Sequence, residues 1–451
     1  MSRVLIRGGR VVSSDGVQDV DVLISAGVIE RIDRDVKEAA DRIIDATGSY
    51  ILPGVIDVHT HPVYLDDLES LPISAAHGGV TTVIHYAYAK PGSGLVETIH
   101  AFREEAESVS VIDFALHGGL FDPANQSAEI PDAIGEGVTS FKMFMTYAKL
   151  GWMTDDYQLM RTLDIVAQAG GLGIVHAENG LGTDYLQDRM LAAGADPKEA
   201  FLETRPAILE AEAIHRAIAM AQVAGCPLYI PHMTAALGID EVAAARAKGY
   251  HVYAETCPQY LTLTHDDLLE QGPLLKIGPP LREASDREAL WHALREGILD
   301  TVASDHAAKA KTREDDFFDA PYGTPQVETM LPLLFSEGVR AERIPLTRLV
   351  RTMCENPARI FGLYPKKGRL APGSDADLVI FEPQTEWTIK HAGQHSQALY
   401  TAYEGRSCLG KPILTMQRGE VLVEGGNLTA RPGRAVFHPT VGGRAPLSEL
   451  I

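Results

Sequence analysis

A chain of 451 residues that is 45% hydrophobic is long enough to bury a large core and to divide into two or three domains. Its formal charge of −21, without a basic cluster, excludes nucleic acid and anionic membranes as natural partners and leaves small molecules as the expected ligands. The four cysteines lack C-x-x-C spacing, and no apolar run is long enough for a signal peptide or a membrane span, so a cytoplasmic protein with reduced thiols is expected.

From Val4 to Ile32 apolar and polar residues alternate between glycine-containing turns, the pattern of β-hairpins. Eight apolar, β-rich runs follow: ILPGVIDV, VTTVIHY, VIDFALHG, VTSFKMFM, LGIVHAE, PLYIPHM, YHVYAET and DTVASDH. Helical segments fall between them, among them 154–170, 207–224 and 285–297, and eight βα units predict an α/β fold, a (β/α)8 TIM barrel. No G-x-G-x-x-G or P-loop accompanies the first run, as a doubly wound sheet would lead one to expect. After the turn-rich PKKGRLAPGSDADLVIFEP, Ile413 to Val423 reads as another hairpin. The expected organisation is therefore a barrel over 53–368 and one small β domain built from 1–52 and 369–451.

The ionisable residues concentrate at the ends of these runs. The first closes with Asp57-Val58-His59-Thr60-His61, and histidines two apart on a strand share a face. Alone that is a weak signal. The fourth run, however, carries Lys142, the fifth ends with His176, the sixth with His232 and the eighth with Asp305. In a barrel the C-terminal strand ends converge on one face, so these six groups become a cluster. Four imidazoles and a carboxylate suit zinc or a similar divalent ion and suffice for two.

Lys142 stands in SFKMFMTY, where a buried ammonium is costly or gives up its proton. A neutral amine attacks carbon dioxide, and the resulting carbamate offers one oxygen to each of two ions. The blander alternative, a lysine that snorkels out or pairs with a carboxylate, is disfavoured because the neighbouring strands supply ligands and no obvious counter-ion. His77, His85, His117 and His251 read as hydrogen-bonded structural histidines. His306 either orients a ligand from behind or packs.

GVIDVHTH, SFKMFM, VHAEN, ETCPQYL, PPLR, SDH and NPARIFGLYPKKGRLAPGSDADLVIFEP together resemble the amidohydrolase superfamily, and within it the dihydropyrimidinase and hydantoinase group of cyclic-amide hydrolases. The resemblance covers nearly the whole chain. It implies a binuclear metal barrel with a β-sandwich formed by both termini, assembled as a homotetramer or dimer. It places His59, His61 and Asp305 on the buried ion, His176 and His232 on the more exposed one, and Lys142, as N6-carboxylysine, between them. Zn2+ is the expected metal, with Mn2+ or Co2+ as substitutes. Tyr147 is implied as the oxyanion-binding tyrosine, and main-chain groups at Gly278 and Tyr322 as substrate contacts.

Several positions depart from the pattern. Gly278 stands where the family usually has Ser before PPLR, and Tyr322 where it has Asn before G-x-P-x-V-E. The usual DHCPF is here Asp305-His306-Ala307-Ala308-Lys309, and PVYLDDLES follows His61. The expected reaction opens a dihydropyrimidine or a 5-substituted hydantoin. A hydroxide shared by the ions attacks the ring carbonyl, Tyr147 stabilises the oxyanion, and Asp305 carries the proton to the ring nitrogen. Other cyclic imides and lactams fit the same chemistry. Dihydroorotases and allantoinases share the metal pattern, but Val63 replaces the arginine that commonly clamps dihydroorotate, and no acidic-Pro-Gly run follows the histidines. Non-catalytic assembly relatives have lost metal ligands, whereas all the ligand positions are intact here.

Overall fold

The computed structural model describes residues 3–442 and 445–450. Eight parallel strands, Val55–Thr60 (β1), Val80–Ala89 (β2), Asp113–Leu120 (β3), Ser140–Phe144 (β4), Leu172–His176 (β5), Leu228–Ile230 (β6), Val252–Thr256 (β7) and Thr301–Val302 (β8), pair in sequence order. A parallel bridge between Thr60 and His306 closes the ring. The His61 N–H supports that seam by donating to the His306 carbonyl at 3.0 Å, as does the Ser304 N–H by donating to the Asp57 carboxylate at 3.0 Å.

Strand alternation decides which side chains enter the barrel. Ile56, Val58, Ile84, Tyr86, Ile174 and Tyr229 form one buried cluster inside it. Val55, Val83, Phe114, Phe141 and Met143 belong instead to the layer packed against the helices. Lys142, between Phe141 and Met143, therefore faces the interior. The helices fall where the sequence places them, at Asp156–Ala169, Ala207–Ala224 and Ala284–Glu296. Asp155 caps the first by accepting from the Gln158 N–H, and Gly170 ends it in the left-handed region.

Two of the expected strands differ from the observed ones. ILPGVIDV is not one strand but two. Tyr50–Pro53 joins a terminal sheet, Val55–Thr60 enters the barrel, and the chain pivots at Gly54, where a Cβ would lie 2.1 Å from Thr81 Oγ1. DTVASDH contributes only Thr301–Val302 to the sheet, because the backbone leaves extended geometry before Asp305, whose φ is 50°.

The remaining strands form two sheets from both ends of the chain. One has seven strands and contains Arg10–Val12, Val17–Asp19 and Tyr50–Pro53 beside Leu378–Thr388, Ser407–Gln417, Glu420–Glu424 and Asn427–Leu428. The other has four, Arg3–Arg7, Asp21–Ser25, Val28–Asp33 and Arg42–Asp45. Their facing side chains, including Ile6, Val22, Ile51, Leu378 and Met416, share one core, which makes a β-sandwich.

Beyond the sandwich, the tail runs along the N-terminal end of the barrel. His438 donates its N–H to the Phe114 carbonyl and Thr440 donates its own to the Gly137 carbonyl, both at 2.8 Å. Asp113, Asp375 and His438 lie close enough together there to ligate an ion. That space belongs to Lys367, whose Nζ is 2.9 Å from Asp113, 3.3 Å from Asp375 and 2.6 Å from Asp377. Burial disfavours the Lys367 charge, but the three carboxylates outweigh it and raise the pKa. The cluster is an internal ion-pair network that ties tail to barrel. The four cysteines are free and buried, and among the described residues no helix is long and apolar enough to cross a membrane.

Candidate active site

The six residues singled out in sequence line one cavity of about 350 Å³ at the C-terminal mouth of the barrel. His59 lies on β1 with His61 just past it, Lys142 on β4 and His176 at the end of β5. His232 and Asp305 follow β6 and β8. Asp305 Oδ1 is 3.0 Å from His61 Nε2 and 3.2 Å from His59 Nε2. The His59 ring centroid is 5.1 Å from that of His61 and 5.3 Å from that of His232, which is 4.5 Å from that of His176. Tyr147, His232 and Asp305 all have positive φ without being glycine, local strain that the surrounding packing holds in place.

The donor set fits divalent ions. Burial pulls the pKa values of His59, His61, His176 and His232 down, so the imidazoles are neutral near pH 7, the form that ligates metal. Their second nitrogens are already engaged in most cases. His59 Nδ1–H donates to Glu255 Oε1 at 2.7 Å, His61 Nδ1 is 3.3 Å from the Tyr88 hydroxyl, and His176 Nε2 is 2.7 Å from Glu178 Oε2. His232 Nδ1 is buried without a hydrogen-bond partner, a vacancy in bonding that the native fold does not satisfy by itself. As the side chains stand, ligand atoms of His59, His61 and Asp305 are close enough to share one ion.

Lys142 is 1% exposed, and its ammonium lies 5.3 Å from the Tyr86 ring centroid and 5.5 Å from that of Phe144. Burial lowers its pKa to about 8 although Asp305 and Glu255 oppose the shift. No ion pair or hydrogen bond engages that ammonium among the described residues.

Sequence reasoning missed the groups behind these ligands. Glu255, in β7, accepts from His59 Nδ1–H and from the His232 N–H at 3.0 Å through Oε1, while Oε2 accepts from the Tyr229 hydroxyl at 2.6 Å. Glu178 bridges His176 to Arg205 Nη1, 2.9 Å away, and Arg205 Nη2 donates to the Tyr322 hydroxyl at 3.0 Å. Both acids were visible in the motifs ETCPQYL and VHAEN. The available signal was an acidic residue at or just beyond the end of a barrel strand.

His306 packs: its Nε2–H donates to Asp66 at 2.8 Å and its Nδ1 accepts the Gln326 and Val327 N–H groups at 3.1 and 3.2 Å. His77, His85, His117 and His251 all have hydrogen-bond partners, among them Ile73 O, Thr60 Oγ1, Val58 O and Ala445 O.

Tyr147 stands edge-on to His176, with centroids 5.3 Å apart, and edge-on to Tyr322 at 5.9 Å. Desolvation, then the neighbouring Glu178, raise its pKa well above 10, so the hydroxyl remains a donor at neutral pH. Gly278 permits this grouping, because a Cβ there would lie 3.1 Å from the Tyr147 hydroxyl and 3.1 Å from Tyr322 Cδ1.

Comparison with known proteins supports the same reading. The model of the Amidohydrolase family matches residues 50–422. The chain is 39% identical to D-hydantoinase of Rhizobium radiobacter over 451 aligned residues, covering 96% of this chain and 98% of the relative. The solved dihydropyrimidinase from Brevibacillus agri NCHU1002 superposes with a TM-score of 0.94 at 35% identity, over 98% of this chain and 100% of that one. L-Hydantoinase (dihydropyrimidinase) from Arthrobacter aurescens does so with 0.92 at 34%, again over 98% and 100%.

Proposed function

The chain belongs to the amidohydrolase family, in its hydantoinase and dihydropyrimidinase branch, and from that we propose that it is a metal-dependent hydrolase that opens cyclic amide or imide rings. Dihydropyrimidines and 5-substituted hydantoins are the first substrates to expect. The observation that carries this reading is a carboxylate oxygen shared by two imidazoles, beside two further imidazoles and a buried lysine without a counter-ion, in one cavity.

His59, His61 and Asp305 would hold one divalent ion and His176 and His232 a second, with Lys142 as a carbamate contributing to both. Zinc suits this nitrogen and oxygen set, and manganese or cobalt can replace it. When bound, such ions supply Lewis acidity and lower the pKa of water enough to give hydroxide at neutral pH. The chain supplies the rest. As the carbonyl oxygen of the ring gains negative charge, the Tyr147 hydroxyl donates a hydrogen bond to it. Burial opposes the charge of Asp305, yet its pKa stays below the usual carboxylate range, so it is ionised at neutral pH and able to accept a proton. It passes that proton to the ring nitrogen as the C–N bond breaks. Water is thus added across one amide bond, and the product is a single open chain with a new carboxylate. Main-chain groups at Gly278 and Tyr322 hold the ring amide. Assembly as a homotetramer in the cytoplasm is part of the same proposal, and sedimentation analysis tests its first half.

The test is a hydrolysis screen with metal-loaded protein over hydantoins, dihydropyrimidines, cyclic imides, lactams, allantoin and dihydroorotate. Ring opening in the first two classes is expected. No ring opening, together with rapid deacetylation of linear N-acyl amino acids, overturns the reading.

Glu255 provides a test of the site's architecture. Because it fixes the His59 ring and the His232 backbone together, Glu255→Gln is expected to weaken metal affinity by about 10- to 100-fold. Metal content after dialysis against graded chelator reads this directly. Wild-type retention would show that the carboxylate orients nothing the ions need.

A further inference from the structure

We infer that the ring opened here carries a carboxylate on its exocyclic substituent and that Lys309 binds it; the inference rests on the cyclic-amide reading. Lys309 and Tyr64 line the same cavity as the ligand cluster. The Lys309 ammonium lies over the Tyr64 ring, 2.9 Å from its centroid, and that ring is 6.5 Å from the ring of His61. The cation therefore faces the cavity that holds the ligand cluster, on the wall that Tyr64 forms beside His61.

Lys309 lacks a protein partner, as does Lys142 within the ligand cluster. Outside that cluster two further lysines stand in this region, and both are occupied. Lys276 Nζ donates to the Phe318 carbonyl at 2.6 Å, and Lys311 Nζ to the Lys276 carbonyl at 3.0 Å. Among the described residues, the Lys309 ammonium has no such acceptor and no ion pair, only the face of Tyr64. Asp319 also lines the cavity, but it is exposed and its charge acts on Lys276. Burial alone lowers the Lys309 pKa, to about 8, which leaves it mostly protonated at neutral pH. A half-buried cation resting on an aromatic face is only partly compensated for lost hydration. An anionic substrate group completes the pairing.

The experiment compares two substrates of the same shape, built on whichever ring the screen opens fastest. One bears a 2-carboxyethyl substituent and the other the uncharged 2-carbamoylethyl group. A charge-assisted contact of this kind is expected to give the carboxylate a kcat/KM advantage on the order of 10- to 100-fold, shrinking as salt is raised. Lys309→Met, which keeps the stem and removes the charge, is expected to bring the ratio close to one, with the loss in KM for the carboxylate. Lys309→Arg should keep the preference and Lys309→Glu should invert it, with metal content confirming that each variant folds. Equal kcat/KM for the two substrates in the wild type, or an unchanged ratio in Lys309→Met, overturns the assignment while leaving the cyclic-amide reading intact. Failure to open any ring in the screen overturns both.

Discussion

Lys142→Ala is expected to fall to about one-thousandth of wild-type turnover or less and to lose the capacity to hold two ions per subunit. The reasoning begins with the pleat of β4. Phe141 and Met143 point to the helices, so Lys142 points to the barrel axis, where it is 1% exposed. Nothing ionic pairs with it, and burial lowers its pKa to about 8, which leaves roughly a tenth of the amine neutral at pH 7. In the proposed site that neutral nitrogen would attack carbon dioxide, lose a proton, and become an anion with two oxygens. Alanine provides none of this. Metal analysis alongside turnover decides the matter: two ions and a wild-type rate in Lys142→Ala would refute the carbamate. Acetate or propionate added to the variant should partly restore activity by filling the vacated bridge, whereas Lys142→Arg, which cannot form a carbamate, should be as inactive as alanine.

The parts of this molecule that were legible in sequence are those governed by local periodicity. Alternation along the eight runs, together with ionisable residues at their C-terminal ends, was sufficient to locate all six cluster residues. The exceptions have physical causes. Continuity of apolar residues across Pro53, Gly54 and Val55 conceals the fact that the chain changes sheets there, since both sheets demand the same residue types. β8 is short because Asp305 turns its backbone to aim a carboxylate, and no composition rule anticipates that. Glu178 and Glu255 escaped notice because their position at or just beyond a strand end was the only signal, and the histidine each supports is set by folded contacts, which for Glu255 and His59 run between strands. Only the fold shows that both are buried. The path of the tail beneath the barrel depends on long-range pairing of Phe437 with Phe114 and of His438 with Asp113, which local pattern cannot encode.

Tyr147→Phe is expected to lower kcat by about 10²–10³ and to change KM much less. Tyr147 follows β4 in the left-handed region, at φ 66°, so the chain turns sharply after Lys142 and brings the tyrosine ring back over the cavity, edge-on to His176. Glycine at 278 leaves space for its hydroxyl close to the point where main-chain groups would hold the ring amide. A donor fixed in that position interacts little with a neutral carbonyl and strongly with an oxyanion, so its free energy appears in the transition state and not in ground-state binding. Phenylalanine preserves the ring contacts with His176, Trp152 and Tyr322 while deleting the donor alone. The variant should therefore fold and bind its full complement of metal. Because the hydroxyl pKa lies well above 10, it does not titrate near neutrality, and the shape of the pH–rate profile below pH 9 should survive the substitution. A packing role makes the opposite forecast, lower thermal stability with turnover nearly intact. Wild-type kcat in Tyr147→Phe, on a substrate the native enzyme turns over well, would remove the tyrosine from the reaction.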